Sequence, residues 1–326
     1  MAGTAFADMT NMLIDGMGAN LIAKSANLIA GITPAFTAGF GVYVLLWVIN
    51  AYGRGVDENI VDFAKRMIGW LVVIACAFNA GMYAKIAMAA YGLPEDLVNM
   101  FGFTEYTANA LDAQFTALSD VIGKFLASTD EQRTILEPIK SMGIYLNARI
   151  VAIVIWFFGG IFLSFTLAFY LVAKLSLAMV LVIGPLFLGC MLFPATRQWG
   201  MNWIGQILNY AVTICFYTIL GSIQNNVFSQ HMSSLMEILT GTNGISNQVN
   251  EILFMSYIFM LAASTIIFIV VAWNIPSIAG ALTGGAGASA GGVLRSVIQT
   301  GGGIKTSSLN PMKYFGSKDG GSISSK

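Results

Sequence analysis

Long charge-free runs of apolar residues alternate along this chain with shorter polar stretches, and the runs are of membrane length. About 20 apolar residues carry a helix across the hydrocarbon core. Six runs come close: roughly 32–50, 67–84, 150–173, 175–194, 203–221 and 252–275. The third has no charge from Ile150 to Ala173, and the sixth lies within a charge-free stretch between Glu251 and Arg295. Trp47, Trp70, Trp156, Trp199, Trp203 and Trp273 fall mostly towards the run ends, as interfacial belts require. The pattern predicts an all-α polytopic membrane helix bundle.

Two of these runs are weak as independent spans. Lys174 alone separates the third from the fourth. Gly184 and Pro185 then break the fourth, because proline removes a backbone donor and clashes with the preceding turn. Such a break persists in a membrane only where protein or a wet cavity satisfies the freed groups. Region 175–221 is therefore expected to hold one crossing plus a broken or re-entrant element.

Lys and Arg set the orientation. The end of the chain carries Arg295, Lys305, Lys313, Lys318 and Lys326 against one acid, Asp319, so it is expected to be cytoplasmic. Loop 51–66, with Arg54, Lys65 and Arg66, reads the same way, whereas 222–250 lacks Lys and Arg and suits the opposite side. Loop 91–147 is long enough to translocate whatever its charge and is placed outside. Five crossings with an external N-terminus follow most simply; six, with both ends inside, is the alternative. The expected division is an external amphipathic segment 1–31, two spans in 32–90, a periplasmic helical loop 91–147, a membrane bundle 148–275 with outer segment 222–251, and a Gly-rich basic cytoplasmic tail 276–326.

Within the loop, Pro94-Glu95-Asp96 has the form of a first helical turn. Ala108, Leu111, Phe115, Leu118, Ile122 and Phe125 then recur in steps of three and four, a short coiled-coil seam. Ser128-Thr129-Asp130-Glu131 offers a capping box for a further helix feeding into the third run. The seam either folds onto the protein's own outer surface or meets copies of itself around an axis. The oligomeric reading is expected to place a ring of helices outside the membrane. In residues 1–31 the apolar positions Phe6, Met9, Leu13, Met17, Leu21 and Leu28 fall near one helical face, which can lie in the interface or pack on the bundle.

Composition sharpens this picture. Hydrophobic residues make up 56% and charged residues 10% of 326, and the mean hydropathy is +0.74. So few charges cannot cover a soluble particle of this size, and disorder needs the opposite balance. Cys76, Cys190 and Cys215 lie in apolar runs without metal or redox spacing and read as small hydrophobes. One histidine, His231, cannot build the usual zinc site. No cofactor is predicted.

The Gly/Ala/Ser tract at the end of the chain imitates several motifs without their context. Gly287 to Gly291 matches G-x-S-x-G, but no strand precedes it and the histidine lies upstream. The lysines and arginine nearest the spans, Lys85, Lys174 and Arg197, are expected to snorkel to an interface. No carboxylate falls within the predicted spans, which weighs against a proton- or sodium-coupled transporter.

One stretch carries a resemblance. Gly184-Pro185-Leu186-Phe187, then Leu192-Phe193-Pro194-Ala195-Thr196-Arg197 followed by Trp199 and Trp203, resembles the signature of the polytopic inner-membrane subunit of type IV secretion systems, the TrbL-like family. Ile275-Pro276-Ser277-Ile278-Ala279 before a Gly-rich tract is similar to that family's end-of-last-span pattern. The resemblance implies a non-enzymatic channel or scaffold subunit of the bacterial inner membrane. It would work with pilus-forming subunits, cytoplasmic ATPases and the inner-membrane complex. It would contact a protein or relaxase-bound single-stranded DNA substrate and oligomerise with its own copies. The alternative from another class is a secondary transporter or small-solute channel. The polar residues available in the spans for a lining are mainly Asn79, Ser164, Thr166, Asn209, Thr213 and Ser264.

Overall fold

The computed structural model describes residues 5–52, 60–103, 108–133, 138–240 and 248–283. Helices account for nearly all of them: α1 (Ala5–Tyr52), α2 (Ile60–Phe78), α3 (Ala80–Met100), α4 (Ala108–Arg133), α5 (Pro138–Val182), α6 (Gly184–Cys190), α7 (Arg197–Thr240) and α8 (Gln248–Leu282). The chain is an all-α polytopic membrane bundle. Among the described residues four helices are long and apolar enough to cross a bilayer, and α2 with α3 makes a fifth if that bent pair is one span. Helices run through the boundaries predicted at 31/32, 90/91 and 147/148.

The structure redraws several predicted elements. The run 67–84 is not one straight helix. It breaks at Asn79, beyond which α3 leaves α2 at 82°. Asn79 is extended (φ −99°, ψ 106°), and its side chain accepts the Met82 N–H at 3.0 Å, a helix N-cap that starts α3 afresh. Pro94 does not open a helix either; it lies buried inside α3. The helix predicted from Ser128 starts instead at Pro138, since α4 continues to Arg133. The third run and the first residues of the fourth form one helix, α5, which passes straight through Lys174, so the fourth run is not a span of its own.

Two apolar cores stack along the bundle. One joins α4 to α5, α7 and α8 through Leu118, Ile155, Phe162, Leu163, Phe228 and Leu261. The other joins α3, α5, α7 and α8 through Tyr83, Leu177, Leu181, Ile214, Tyr217 and Ile275. One buried amide is paired across helices: the Gln224 amide donates to the Phe162 carbonyl and accepts from the Thr166 hydroxyl.

The seam on α4 packs within the chain. Leu111, Leu118 and Phe125 are buried against the chain's own α5 and α7, and Phe115 touches Phe6 and Trp156. Gly159 leaves just the space that Leu118 fills; a Cβ there would stand 2.9 Å from both Leu118 methyls. Ile122 is partly covered by the same core, and Ala108 opens the helix half-buried. A private surface thus covers much of the stripe, the first of the two arrangements its periodicity allows. The physical reason is proximity. The matching faces of α5 and α7 belong to the same chain, so covering the stripe needs no second molecule.

Asp112, also on α4, is 4% exposed. Its two carboxylate oxygens accept the Phe6 and Ala7 backbone N–H groups, each at 2.9 Å. These donors belong to the orphaned first turn of α1, where the helix dipole also favours a negative charge. The N-terminal segment is therefore anchored to α4 at its start and continuous with the first span. Asp112→Ala is expected to cost about 1–2 kcal/mol, the scale of a lost helix cap. Asp112→Asn, which keeps one acceptor, should lose less. Thermal unfolding in detergent reads both.

Candidate functional site

The sequence places prolines where long apolar helices would otherwise run on, and the structure shows what meets them. α5 stops at Val182, and α6 begins at Gly184 with Pro185 in its first turn. The last turn of a helix leaves its carbonyls without backbone partners, and Pro185 has no N–H to offer Leu181. Two side chains fill that deficit. The Tyr83 hydroxyl, from α3, donates to the Leu181 carbonyl. The Trp203 indole N–H, from α7, donates to the Val180 carbonyl at 2.9 Å. Gly184 and Pro185 are both buried.

The same solution recurs in α8. Pro276 lies inside that helix and removes the donor for the carbonyl four residues back, Ala272. The Tyr217 hydroxyl, from α7, donates to that carbonyl at 3.2 Å. Tyr83, Trp203 and Tyr217 are all buried within one core, at 0%, 6% and 1% exposure. Because an unmet carbonyl in an apolar interior is costly, each aromatic group both fills volume and completes the backbone. Removing only the hydroxyl separates the two roles. Tyr83→Phe should lower stability by about 1–3 kcal/mol, the cost of an orphaned buried acceptor. Tyr217→Phe should cost a similar amount, since it orphans the Ala272 carbonyl in the same core. Chemical unfolding of the purified protein in detergent measures both.

A second cluster lies on α3 and α5. Lys174, expected to snorkel at a span end, is 6% exposed and paired with Glu95. Its ammonium also donates to the Tyr91 carbonyl at 3.2 Å and stands 4.1 Å from the centre of the Tyr91 ring. The Tyr170 hydroxyl donates to the same Glu95 oxygen at 3.1 Å. Glu95 lies in α3, the second helix of the bent pair, which brings its carboxylate onto Lys174. Lys85 and Arg197 are exposed.

The signature stretch divides between interior and surface. Leu192 is buried. Phe193 packs on Phe36 and Tyr43 of α1. Pro194 and Ala195 are exposed in the turn before α7. The Thr196 hydroxyl donates to the Cys190 carbonyl at 2.8 Å, and the Thr196 carbonyl accepts the Trp199 N–H at 3.0 Å. Trp199 is exposed, whereas Trp203 is a buried cap and not part of an interfacial belt. Arg295, Lys305, Lys313, Lys318 and Lys326 lie outside the described residues, as does the Gly-rich motif tract. Among the described residues no three His, Cys, Asp or Glu side chains come together to hold a metal.

Fold and site define a multi-pass helical membrane protein whose interrupted helices are completed from their neighbours. The sequence pattern of the family described as TrbL/VirB6 plasmid conjugal transfer protein matches residues 40–272, which takes in the break at Gly184-Pro185 and all three aromatic caps. The chain belongs to that family. It is 23% identical over 303 residues to the type IV secretion system protein VirB6 of Bartonella quintana (strain Toulouse), covering 88% of this chain and 85% of the relative. It is also 23% identical over 287 residues to the VirB6 protein of Bartonella henselae (strain ATCC 49882 / DSM 28221 / CCUG 30454 / Houston 1), covering 84% and 80%.

Proposed function

We propose that this protein is a structural and conduit subunit of a type IV secretion machine in the bacterial inner membrane. In this reading it helps pass a protein or relaxase-bound single-stranded DNA and supports pilus assembly. The observation that carries the proposal is family membership across 40–272. The packing refines it. Phe162, Leu167, Leu181, Tyr217 and Phe228 fill the middle of the bundle. A crevice of about 120 Å³ beside Leu13, Tyr91, Val172 and Lys174 has room for a few methylenes and not for a polymer. A substrate path then runs between chains, lined by copies of this protein or by other subunits of the machine. The cytoplasmic ATPases, the inner-membrane complex and the pilus-forming subunits are its expected partners, and the basic tail is assigned to the cytoplasmic side.

One observation favours a second reading. A charge pair within the bundle, Lys174 with Glu95, is the feature that marks ion or proton paths in transporters. Purification of the tagged full-length chain from cells expressing the neighbouring genes separates the two. A secretion subunit co-purifies in a large complex with ATPases and pilin-like proteins. A transporter emerges alone or as a small oligomer, and that result would overturn the proposal. Sidedness has its own check. Ser119→Cys should react with an impermeant thiol reagent in intact spheroplasts, and Ser317→Cys only after the membrane is opened.

A further inference from the structure

The last part of α1, from Ala35 to Tyr52, and the whole of α2 form a two-helix arm. Inside the arm, Phe36 meets Phe78 with ring centres 5.4 Å apart, and Trp70 meets Phe40 and Tyr43 at 5.3 and 5.8 Å. Towards its tip the arm is bare and apolar. Val42, Leu45, Leu46 and Ile49 on α1, with Ile68, Leu71 and Val72 on α2, are each more than half exposed.

Each of the two helices has a weak point where the arm meets the body. In α1 it is Pro34, whose missing N–H frees the Ala30 carbonyl. Beside it the Thr33 hydroxyl bonds back to the Ile29 carbonyl at 2.5 Å, a contact that bends helices. In α2 it is the 82° joint at Asn79. Beyond that joint α3 is fastened to α5 at two levels, through Tyr83 to Leu181 and through Glu95 to Lys174 and Tyr170. The body side of the joint is therefore held.

The base of the arm rests on α6 and the turn after it. Phe36 lies against Gly189, where a Cβ would come within 2.8 Å of its ring. Phe193 inserts between Phe36 and Tyr43, at 6.2 and 5.9 Å, and its ring edge is 3.5 Å from where a Cβ of Gly39 would stand. In this way one side chain of the signature turn wedges the arm against the body.

We propose that Ala35–Tyr52 and Ile60–Phe78 form a rigid arm that pivots on Pro34 and Asn79, and that Phe193 is the wedge holding it in the position seen. Two joints at one level, a cohesive interior and a single aromatic wedge are the parts of a hinge. The arm is about 25 Å long by helix rise. A swing of about 15° therefore carries its tip roughly 6 Å. This inference does not depend on the secretion reading.

The test uses the full-length protein in lipid nanodiscs, with Cys76, Cys190 and Cys215 replaced by alanine and spin labels read by pulsed dipolar spectroscopy. Labels at Ile68 and Met88 span the joint from arm to α3; labels at Val42 and Leu71 report the arm alone. Phe193→Ala should broaden the Ile68–Met88 distance distribution about twofold and leave Val42–Leu71 unchanged. Pro34→Ala, which restores a backbone bond at one pivot, should narrow Ile68–Met88 and so moves opposite to general destabilisation. Two outcomes would overturn the proposal: no change across the joint in either variant, or equal broadening of both pairs in Phe193→Ala, which would mean that the arm unravels. If Phe193→Ala does not accumulate, Pro34→Ala decides alone, since an unnarrowed distribution there rules out the pivot.

Discussion

Gly184→Ala is expected to be among the most damaging single-methyl changes in this protein. A Cβ at Gly184 would fall well inside contact distance of the Tyr83 hydroxyl and the Trp203 ring. These are the groups that complete the Val180 and Leu181 carbonyls. Neither can retreat without giving up its bond, because both are buried in the same packed core. Overpacking costs about 1–3 kcal/mol, and an orphaned buried acceptor adds about 1–3 more. A loss of about 3–5 kcal/mol follows, a large share of the roughly 5–15 kcal/mol that holds an ordinary domain folded. Gly205→Ala is the control, since nothing lies near its Cβ position; helix propensity favours alanine there by about 1 kcal/mol. Membrane yield and unfolding midpoint in detergent distinguish them. If Gly184→Ala matches Gly205→Ala in both, the caps do not hold the break closed. Gly184→Ala with Tyr83→Phe should recover part of the loss, because the nearest clashing atom is gone while Trp203 remains.

The charge pair gives the second large effect. Glu95→Ala strands a buried ammonium, and Lys174→Ala strands a carboxylate whose second oxygen, Oε2, is buried without a partner. Breaking a buried pair costs about 3–5 kcal/mol, whereas replacing both partners by apolar groups of similar volume is often neutral. The Glu95 side chain is one-third exposed, so the lower end is expected for Lys174→Ala. Glu95→Leu with Lys174→Met should therefore be more stable than either single alanine variant. A double-mutant cycle of unfolding free energies provides the measurement. Additive losses would show that the two groups do not act as a pair. A stable doubly apolar variant also sharpens the choice of function: retained DNA or protein transfer would leave the pair structural, whereas lost solute transport would point to a carrier.

Much of this architecture is legible in the chain. Span-length apolar runs with almost no charge force a membrane bundle, because buried backbone in lipid must be satisfied within helices. The break at Gly184-Pro185 is likewise local chemistry, since a proline lacks its donor wherever it sits. Even the acceptors follow: counting four residues back from Pro185 and Pro276 names Leu181 and Ala272. The donors do not follow. Tyr83, Trp203 and Tyr217 lie 98, 23 and 55 positions from the carbonyls they meet. No spacing rule connects residues so far apart.

The same limit explains the errors. Pro94 and Asn79 carry opposite local signals from their roles. A proline followed by two acids has the form of a helix start, yet surrounding contacts keep α3 intact through it, while an unremarkable asparagine in an apolar run caps a new helix. Charge near a span end reads as snorkelling until another helix brings a carboxylate to it, as α3 brings Glu95 to Lys174. The stripe on α4 states only that it must be covered. Periodicity records which face is apolar, and it holds nothing about whether the cover comes from another copy or from α5 and α7. The sequence by itself determined the solvent, the helices and the places where backbone bonds must fail. Tertiary structure alone decided which side chains repair those failures and which faces are left for partners, because those choices depend on distances between segments far apart in the chain.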